Sequence, residues 1–144
     1  MSDHKPHFEV QHVLVCDDVR RENTGKLILI GVYGRSIVFN DLPAQIELTF
    51  WLEVDQPETG TIPFQFQGIL APKEKQLFYV SGTVTVNVPV VSTHLVLGQV
   101  PLHIEEEGEL SLQLKQYDDD WVEIKTIAVE QVSDALVAEG QKNS

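Results

Sequence analysis

Alternation of apolar and polar positions divides the chain into short strands. Residues 45–54 show it most clearly, with apolar side chains at every even position and mostly polar ones at the odd positions. A period of two is typical of a strand with one buried face. The pattern recurs over residues 62–70, 77–88 and 109–116, and further apolar runs cover residues 8–16, 27–33, 36–39, 94–104 and 121–132. We predict an all-β chain of about eight strands.

Residues 13–33 are predicted to be the centre of the fold. Two apolar runs, residues 13–16 and 27–32, flank the charged connection of residues 17–26, with turn residues at 23–25. Residues 27–32 show no polar alternation, which indicates a strand covered on both faces. We therefore predict that residues 27–32 form the central strand and that residues 17–26 form a loop.

Prolines and a change of parity predict local irregularities. Pro63 has no N–H to donate, so its strand is expected to begin at an edge or to pair on one side only at that point. The strand that contains Pro101 is expected to be bent or to lie at an edge. The inward parity changes within residues 121–132, which indicates a β-bulge near Lys125 or Thr126.

Length and composition indicate one soluble domain. The chain has 144 residues, of which 42% are hydrophobic and 22% charged, as in ordinary globular proteins. Short strands without a helix longer than a turn or two are typical of an antiparallel β-sandwich or barrel. We expect a flexible arm over residues 1–7, one domain over residues 8–139 with a helical turn at 135–138, and a disordered tail over residues 140–144.

The closing segment is similar to the last two strands of immunoglobulin-like sandwiches. A Glu-Gly-Glu-Leu-Ser-Leu-Gln-Leu strand is followed by a hairpin and a returning strand. Leu110 stands where many such domains carry a tyrosine, and paired cysteines are missing. We therefore predict an antiparallel β-sandwich of immunoglobulin-like architecture and no specific superfamily.

The opening segment carries a distinctive set of motifs. These are Cys16-Asp17-Asp18-Val19-Arg20, then Glu22, Gly25-Lys26 and Leu29-Ile30-Gly31-Val32-Tyr33. Together they resemble the opening signature of a family of short uncharacterised bacterial proteins, a domain of unknown function. A weaker likeness covers residues 101–129. The resemblance implies a small bacterial all-β protein and supplies no catalytic residue.

The charge of the chain argues against two classes of partner. The net charge is −12, and residues 101–144 hold eleven acidic and three basic side chains, whereas residues 1–35 hold five of each. Such a surface repels phosphates, and the basic residues form no stripe with aromatics between them. We expect neither nucleic acid nor anionic membrane as a partner.

Membrane and export signals are not apparent in the sequence. No apolar run approaches the roughly 18 residues that a membrane span needs. The first ten residues are polar, and the single cysteine allows no intramolecular disulfide. We expect a cytoplasmic location.

Catalytic chemistry finds little support. Cys16 and His12 share a strand face, but four residues of strand separate them by about 13 Å, and Asp17 and Asp18 are expected to raise the thiol pKa. The chain also lacks a zinc pattern, a Gly-rich phosphate loop and a Gly-x-Ser-x-Gly elbow. A lone inward histidine such as His12 is expected to be a core residue. We predict no enzyme and no cofactor, with an uncharacterised hydrolase as an alternative.

A calcium site is the main alternative function. Acidic loops occur at residues 17–18, 105–107 and 118–120, and Ca²⁺ takes several oxygen ligands. Asp118, Asp119 and Asp120 are the candidate ligands. No loop has the Asp-x-Asp-x-Asp-Gly order of a calcium loop, which favours solvated turns over a cation site.

Protein interaction is the predicted function. Residues 17–26 are either a rigid cap or a binding surface, and an outward-facing Trp51 is either covered by a loop or an exposed anchor. The candidate interaction residues are Asp17, Asp18, Arg20, Arg21, Glu22, Lys26 and Trp51. We predict a structural or interaction module with an unidentified protein partner. A homodimer is one way to cover residues 27–32, and the N-terminal arm or the helical turn at residues 135–138 is the alternative cover within one chain.

Overall fold

The described residues form strands and no helix. The computed structural model describes residues 5–55 and 57–132. The ten strands are β1 (Glu9–Cys16), β2 (Asp18–Arg21), β3 (Leu27–Ile30), β4 (Ser36–Phe39), β5 (Ala44–Asp55), β6 (Gly60–Ala71), β7 (Lys75–Val86), β8 (Ser92–Ile104), β9 (Gly108–Gln116) and β10 (Val122–Gln131). The all-β prediction is confirmed for this part of the chain. It contains no helix long and apolar enough to cross a membrane.

The strands form three sheets. One has the order β1-β5-β8, the second has the order β4-β10-β9-β6-β7, and β2 and β3 form the third. All neighbours are antiparallel except β4 and β10, which run parallel. The prediction of a purely antiparallel fold is wrong for this pair. No hairpin joins β4 to β10, so no tight turn forces them to run in opposite directions.

The two larger sheets share one hydrophobic core. Phe50 of β5 packs against Phe66 of β6, with ring centroids 5.1 Å apart, and against Phe78 of β7 at 5.0 Å. The even-numbered residues of β5, β6 and β9 that the alternation placed inside are buried from residue 48 onward. Each such side chain contributes about 1.5–3 kcal/mol by leaving water.

The predicted central strand is peripheral. β3 pairs only with β2, within the described residues, and Ile28 and Ile30 are 43% and 42% exposed. The prediction was wrong because a short apolar run does not distinguish a strand covered on both faces from a half-exposed one. Its partner β2 has the sequence DVRR, which carries no apolar alternation and was assigned to a loop. This strand accounts in part for ten strands in place of eight.

Register shifts in β1 and β10 turn side chains from one face to the other. In β1 the pairing with β5 shifts between Val10 and His12, so His12 points outwards with its side chain 69% exposed. The inward placement of His12 was wrong because the extra residue reverses the parity. In β10 the pairing with β9 shifts between Glu123 and Lys125, which confirms the predicted bulge.

The prolines lie where a missing donor is tolerated. Pro63 pairs with Thr83 of β7, while the pairing of β6 with β9 begins one residue later at Phe64. Among the described residues, the strand that contains Pro101, β8, pairs only with β5 and is an edge strand. The prediction for Pro101 is confirmed. At Pro63 the strand register agrees with one-sided pairing, and the Pro63 carbonyl accepts a hydrogen bond from the Tyr117 N–H at 3.0 Å on the β9 side.

Residues 5–7 contact the domain. The Tyr117 hydroxyl donates a hydrogen bond to the Pro6 carbonyl at 2.6 Å, and the Lys5 ammonium lies 5.2 Å from the centroid of the Tyr117 ring. This part of the predicted arm is therefore docked. The helical turn expected at 135–138 and the tail at 140–144 lie outside the described residues.

Candidate functional site

The candidate site is the hairpin of β2 and β3. Arg20 lies opposite Ile28 in the pairing, and Asp18 lies opposite Ile30. The turn closes where the Glu22 N–H donates to the Lys26 carbonyl at 2.8 Å. The two halves of the predicted loop and the strand after it are therefore joined by backbone hydrogen bonds. Six of the seven predicted interaction residues lie on this hairpin or directly before it.

One face of the hairpin exposes an aliphatic row. Ile28 and Ile30 are 43% and 42% exposed, and Val32 just beyond them is 49% exposed. Asp18 and Arg20 lie beside these isoleucines and form an ion pair at 3.2 Å. Contiguous exposed apolar side chains mark interaction sites more often than single ones do. The unbroken apolar run predicted that these side chains are covered, and the charged strand opposite them was the one signal of their exposure.

The other face of the hairpin is partly covered. Val19, Leu27 and Leu29 are half-buried, and β2 contacts β5 and β8. The hairpin therefore lies against the three-stranded sheet through one face and presents the other to solvent.

Asp17, Gly31 and Tyr33 hold the base of the hairpin. The Asp17 N–H donates to the carbonyls of Ile30 at 2.9 Å and Gly31 at 3.2 Å. The Tyr33 hydroxyl donates to the Asp17 carboxylate at 2.9 Å, and the Tyr33 N–H donates to the Val15 carbonyl at 2.8 Å. Gly31 has φ +68°. This network fixes the hairpin to the end of β1.

Burial shifts two pKa values at this junction. Burial, followed by the hydrogen bond to Asp17 and the charge of Asp17, raises the pKa of Tyr33 to about 12. Burial also raises the pKa of the Cys16 thiol, and the charges of Asp17 and Asp18 add to the effect. Cys16 is fully buried, with its thiol 3.5 Å from the Thr49 carbonyl. A buried thiol with a raised pKa is a poor nucleophile.

Trp51 lies apart from the hairpin residues. It stands on the outer face of the three-stranded sheet, opposite Leu14 and Val96 in the pairing. Its ring packs on His94 with centroids 5.2 Å apart. The side chain is half-buried, and its indole N–H is buried without a hydrogen-bond partner among the described residues.

Carboxylates of two acidic loops form ion pairs with separate parts of the protein. Asp118, Asp119 and Asp120 are exposed in the turn between β9 and β10, and Asp119 contacts the His7 ring at 3.2 Å. Lys75 pairs with Glu105 at 3.3 Å, whereas Lys73 pairs with Glu106 at 3.1 Å. Within residues 5–55 and 57–132, no group of three or more His, Cys, Asp or Glu side chains is placed to hold a metal ion.

A cavity of about 520 Å³ opens beside one end of the three-stranded sheet. It is lined by Gln45, Ile46, Glu47, Leu77, Pro101, Leu102 and His103. This lining holds an imidazole and a carboxylate without a hydroxyl or thiol nucleophile.

Comparison with known proteins places the chain in a family. No curated protein matches the sequence. A family model described as a family of unknown function (DUF6941) matches residues 11–130, which is most of the 144-residue chain and includes the whole hairpin. The chain therefore belongs to this family of unknown function.

Proposed function

We propose that this protein is a non-enzymatic interaction module, and that it binds a partner protein through the exposed face of the β2–β3 hairpin. The aliphatic row of Ile28, Ile30 and Val32 carries the proposal. Burial of such side chains is the main source of association energy. The hydrogen bonds of Asp17 and Tyr33 keep this surface in one conformation, which lowers the entropy lost on binding.

The charge of the hairpin favours an acidic partner. Residues 17–35 contain four basic and three acidic side chains, a net charge of +1. Because the whole chain carries a net charge of −12, the other residues together carry −13. Asp18 is paired with Arg20. Arg21, Lys26 and Arg35 are exposed and form no ion pair within the described part of the chain. Electrostatic complementarity of this kind steers association and selects partners.

The architecture suits a scaffold for such a surface. Two sheets packed on a common aromatic core support a β-sandwich of immunoglobulin-like architecture, with the parallel pair β4–β10 as a departure from that pattern. The family resemblance and the single buried cysteine support action in a bacterial cytoplasm. The net charge of −12 disfavours nucleic acid and anionic membrane as ligands.

Photo-crosslinking in the native cell tests the proposal. A benzophenone amino acid replaces Ile28 in one variant and Val122, an equally aliphatic side chain that is 59% exposed in β10, in the control. We expect a discrete adduct from position 28 only, and we expect Arg20→Glu with Lys26→Glu to abolish it, because Arg20 lies opposite Ile28 on the same face. No adduct at position 28, or the same adducts at both positions, would overturn the proposal.

A further inference from the structure

Residues 76–104 contain no Asp, Glu, Lys or Arg. The chain has 10 basic and 22 acidic residues, 22% of its length, so a stretch of 29 positions would carry about six by chance. This uncharged stretch comprises β7 after Lys75, the connection that follows, and the whole of β8.

The topology brings the two uncharged strands together at one side of the domain. β8 is the terminal strand of the order β1-β5-β8, and β7 is the terminal strand of the order β4-β10-β9-β6-β7. The two strands contact each other. Because each is the terminal strand of its sheet, each has one edge without a strand partner among the described residues. Natural sheets usually protect such edges with charges, prolines, bulges or short length.

The edges on the opposite side have that protection. β1 carries the register shift between Val10 and His12, and its Val15 carbonyl accepts a hydrogen bond from the Tyr33 N–H. β4 is only four residues long. The second half of β8 is protected too, because Gln99 has φ +57° and Pro101 lacks an N–H. Residues 92–97 of β8 have none of these devices.

Exposed valines surround this unprotected segment. Val88, Val90 and Val91 in the connection before β8 are 64%, 40% and 80% exposed, and Val96 within β8 is 39% exposed. Together with Tyr79, they make up half of the ten large apolar side chains that are exposed in the described part of the chain. An uncharged edge flanked by exposed aliphatic side chains is a site for strand addition.

We propose that residues 92–97 pair antiparallel with the same residues of a second copy of this chain. An antiparallel edge is complementary to itself, so the pairing generates a closed two-fold dimer. The three-stranded sheets of both copies become one sheet of six strands. Val91 and Val96 from each copy come together at the junction.

Charge favours a second copy at this edge. Each copy carries −12, and all of that charge lies outside residues 76–104. Two copies therefore repel each other least when these edges meet. β7 is the poorer edge for pairing, because Ser81, Thr83 and Thr85 on its outer face are small and polar and would bury little apolar area.

Sedimentation equilibrium of the full chain at micromolar concentration tests the dimer. We expect twice the monomer mass of 16.2 kDa. Val96→Lys and Val91→Lys place a charge at the junction and are each expected to weaken association about tenfold or more. Val122→Lys makes the same change on β10 and is expected to leave association unchanged. Circular dichroism shows whether each variant is folded, and Val91 lies outside the strands, so its variant keeps the test valid if Val96→Lys unfolds.

Salt dependence separates this interface from one on the hairpin. Raising the NaCl concentration from about 50 mM to about 500 mM screens the repulsion between two acidic copies. We therefore expect tighter association through the uncharged edge, whereas a contact between the basic hairpin and an acidic surface would weaken. Hydrogen exchange locates the contact. Concentrating the protein is expected to slow exchange in residues 92–97 and not in β1, the other edge of the same sheet.

Three outcomes would overturn the proposal. The first is a monomer at all concentrations up to about 100 µM, where a dimer with a Kd of about 1 µM would be mostly associated. The second is equal weakening by Val96→Lys and Val122→Lys. The third is protection on concentrating in residues 28–32 in place of residues 92–97. The first two outcomes leave the crosslinking test of the hairpin unaffected, because that test uses position 28 and a different partner.

Discussion

The carboxylate of Asp17 occupies the space that a side chain on Gly31 would need. A β-carbon at Gly31 would lie 2.8 Å from the Asp17 Cγ and closer still to one of its oxygens. The φ of +68° at Gly31 is also unfavourable for any residue with a β-carbon. The base of the hairpin therefore requires glycine at this position for two independent reasons.

Gly31→Ala is expected to destabilise the protein. A non-glycine residue at positive φ costs about 1–3 kcal/mol, and displacement of the Asp17 carboxylate adds to that cost. Urea denaturation measures the loss. Gly34→Ala is the matched control, because Gly34 has no positive φ and nothing within 4 Å of its β-carbon position. We expect the control to change stability by less than about 0.5 kcal/mol. Equal effects of the two changes would contradict the role of Asp17.

Alkaline pH is expected to remove the stabilising contribution of Tyr33. The pKa of Tyr33 is about 12 in the folded protein and about 10 in an unfolded chain. The folded state thus favours the neutral phenol, so the contribution is complete below pH 10 and is lost between pH 10 and pH 12. Tyr33→Phe lacks this dependence. We expect the unfolding free energy of the unmodified protein to fall relative to that of Tyr33→Phe as the pH rises from about 9 to about 11. A constant difference across this range would rule out the raised pKa.

Cys16 is expected to resist thiol reagents in the folded protein. Its side chain is fully buried, and burial raises its pKa. Reaction with a disulfide reagent at pH 8 should become fast only in denaturant. Val122→Cys supplies an internal reference, since position 122 is 59% exposed. We expect this variant to show one fast and one slow equivalent, and two fast equivalents would show that Cys16 is accessible.

Phe50 and Phe78 are expected to be energetically coupled. Their rings stack across the two larger sheets with centroids 5.0 Å apart. A double-mutant cycle with Phe50→Leu and Phe78→Leu should give a coupling energy of about 0.5–1.5 kcal/mol. Phe50→Leu combined with Val122→Ala should be additive, because Val122 is exposed. Additivity in the phenylalanine pair would argue against a core shared by the two sheets.

Much of the fold was predictable from the sequence because the strands of the core alternate. In β5, β6 and β9 a single buried face imposes a period of two on the residues, so the strands and their inward sides were identified correctly. Even the bulge of β10 was visible, because an extra residue changes the parity of the apolar positions. Wherever one face of a strand packs against the core, the sequence of that strand alternates between apolar and polar residues.

The candidate site was only partly predictable. The charged residues from Asp17 to Lys26 were identified as a possible surface, and the structure places them on one hairpin. The aliphatic row beside them was assigned to the interior. Val, Ile and Leu in succession indicate a strand, but the number of faces that other elements cover is not encoded in those residues themselves.

Pairing between distant segments was decided by the tertiary structure alone. The parallel pairing of β4 with β10 joins residues that are about 90 positions apart, and the meeting of β7 and β8 at one side of the domain depends on the order of strands in two separate sheets. The absence of charge from residues 76–104 is plain in the sequence. It indicates a pairing site only because the structure places both strands at the edges of their sheets. Composition and periodicity are local properties, whereas strand order is set by how all the buried faces pack together. The sequence by itself therefore determined the strands, and the tertiary structure decided their partners.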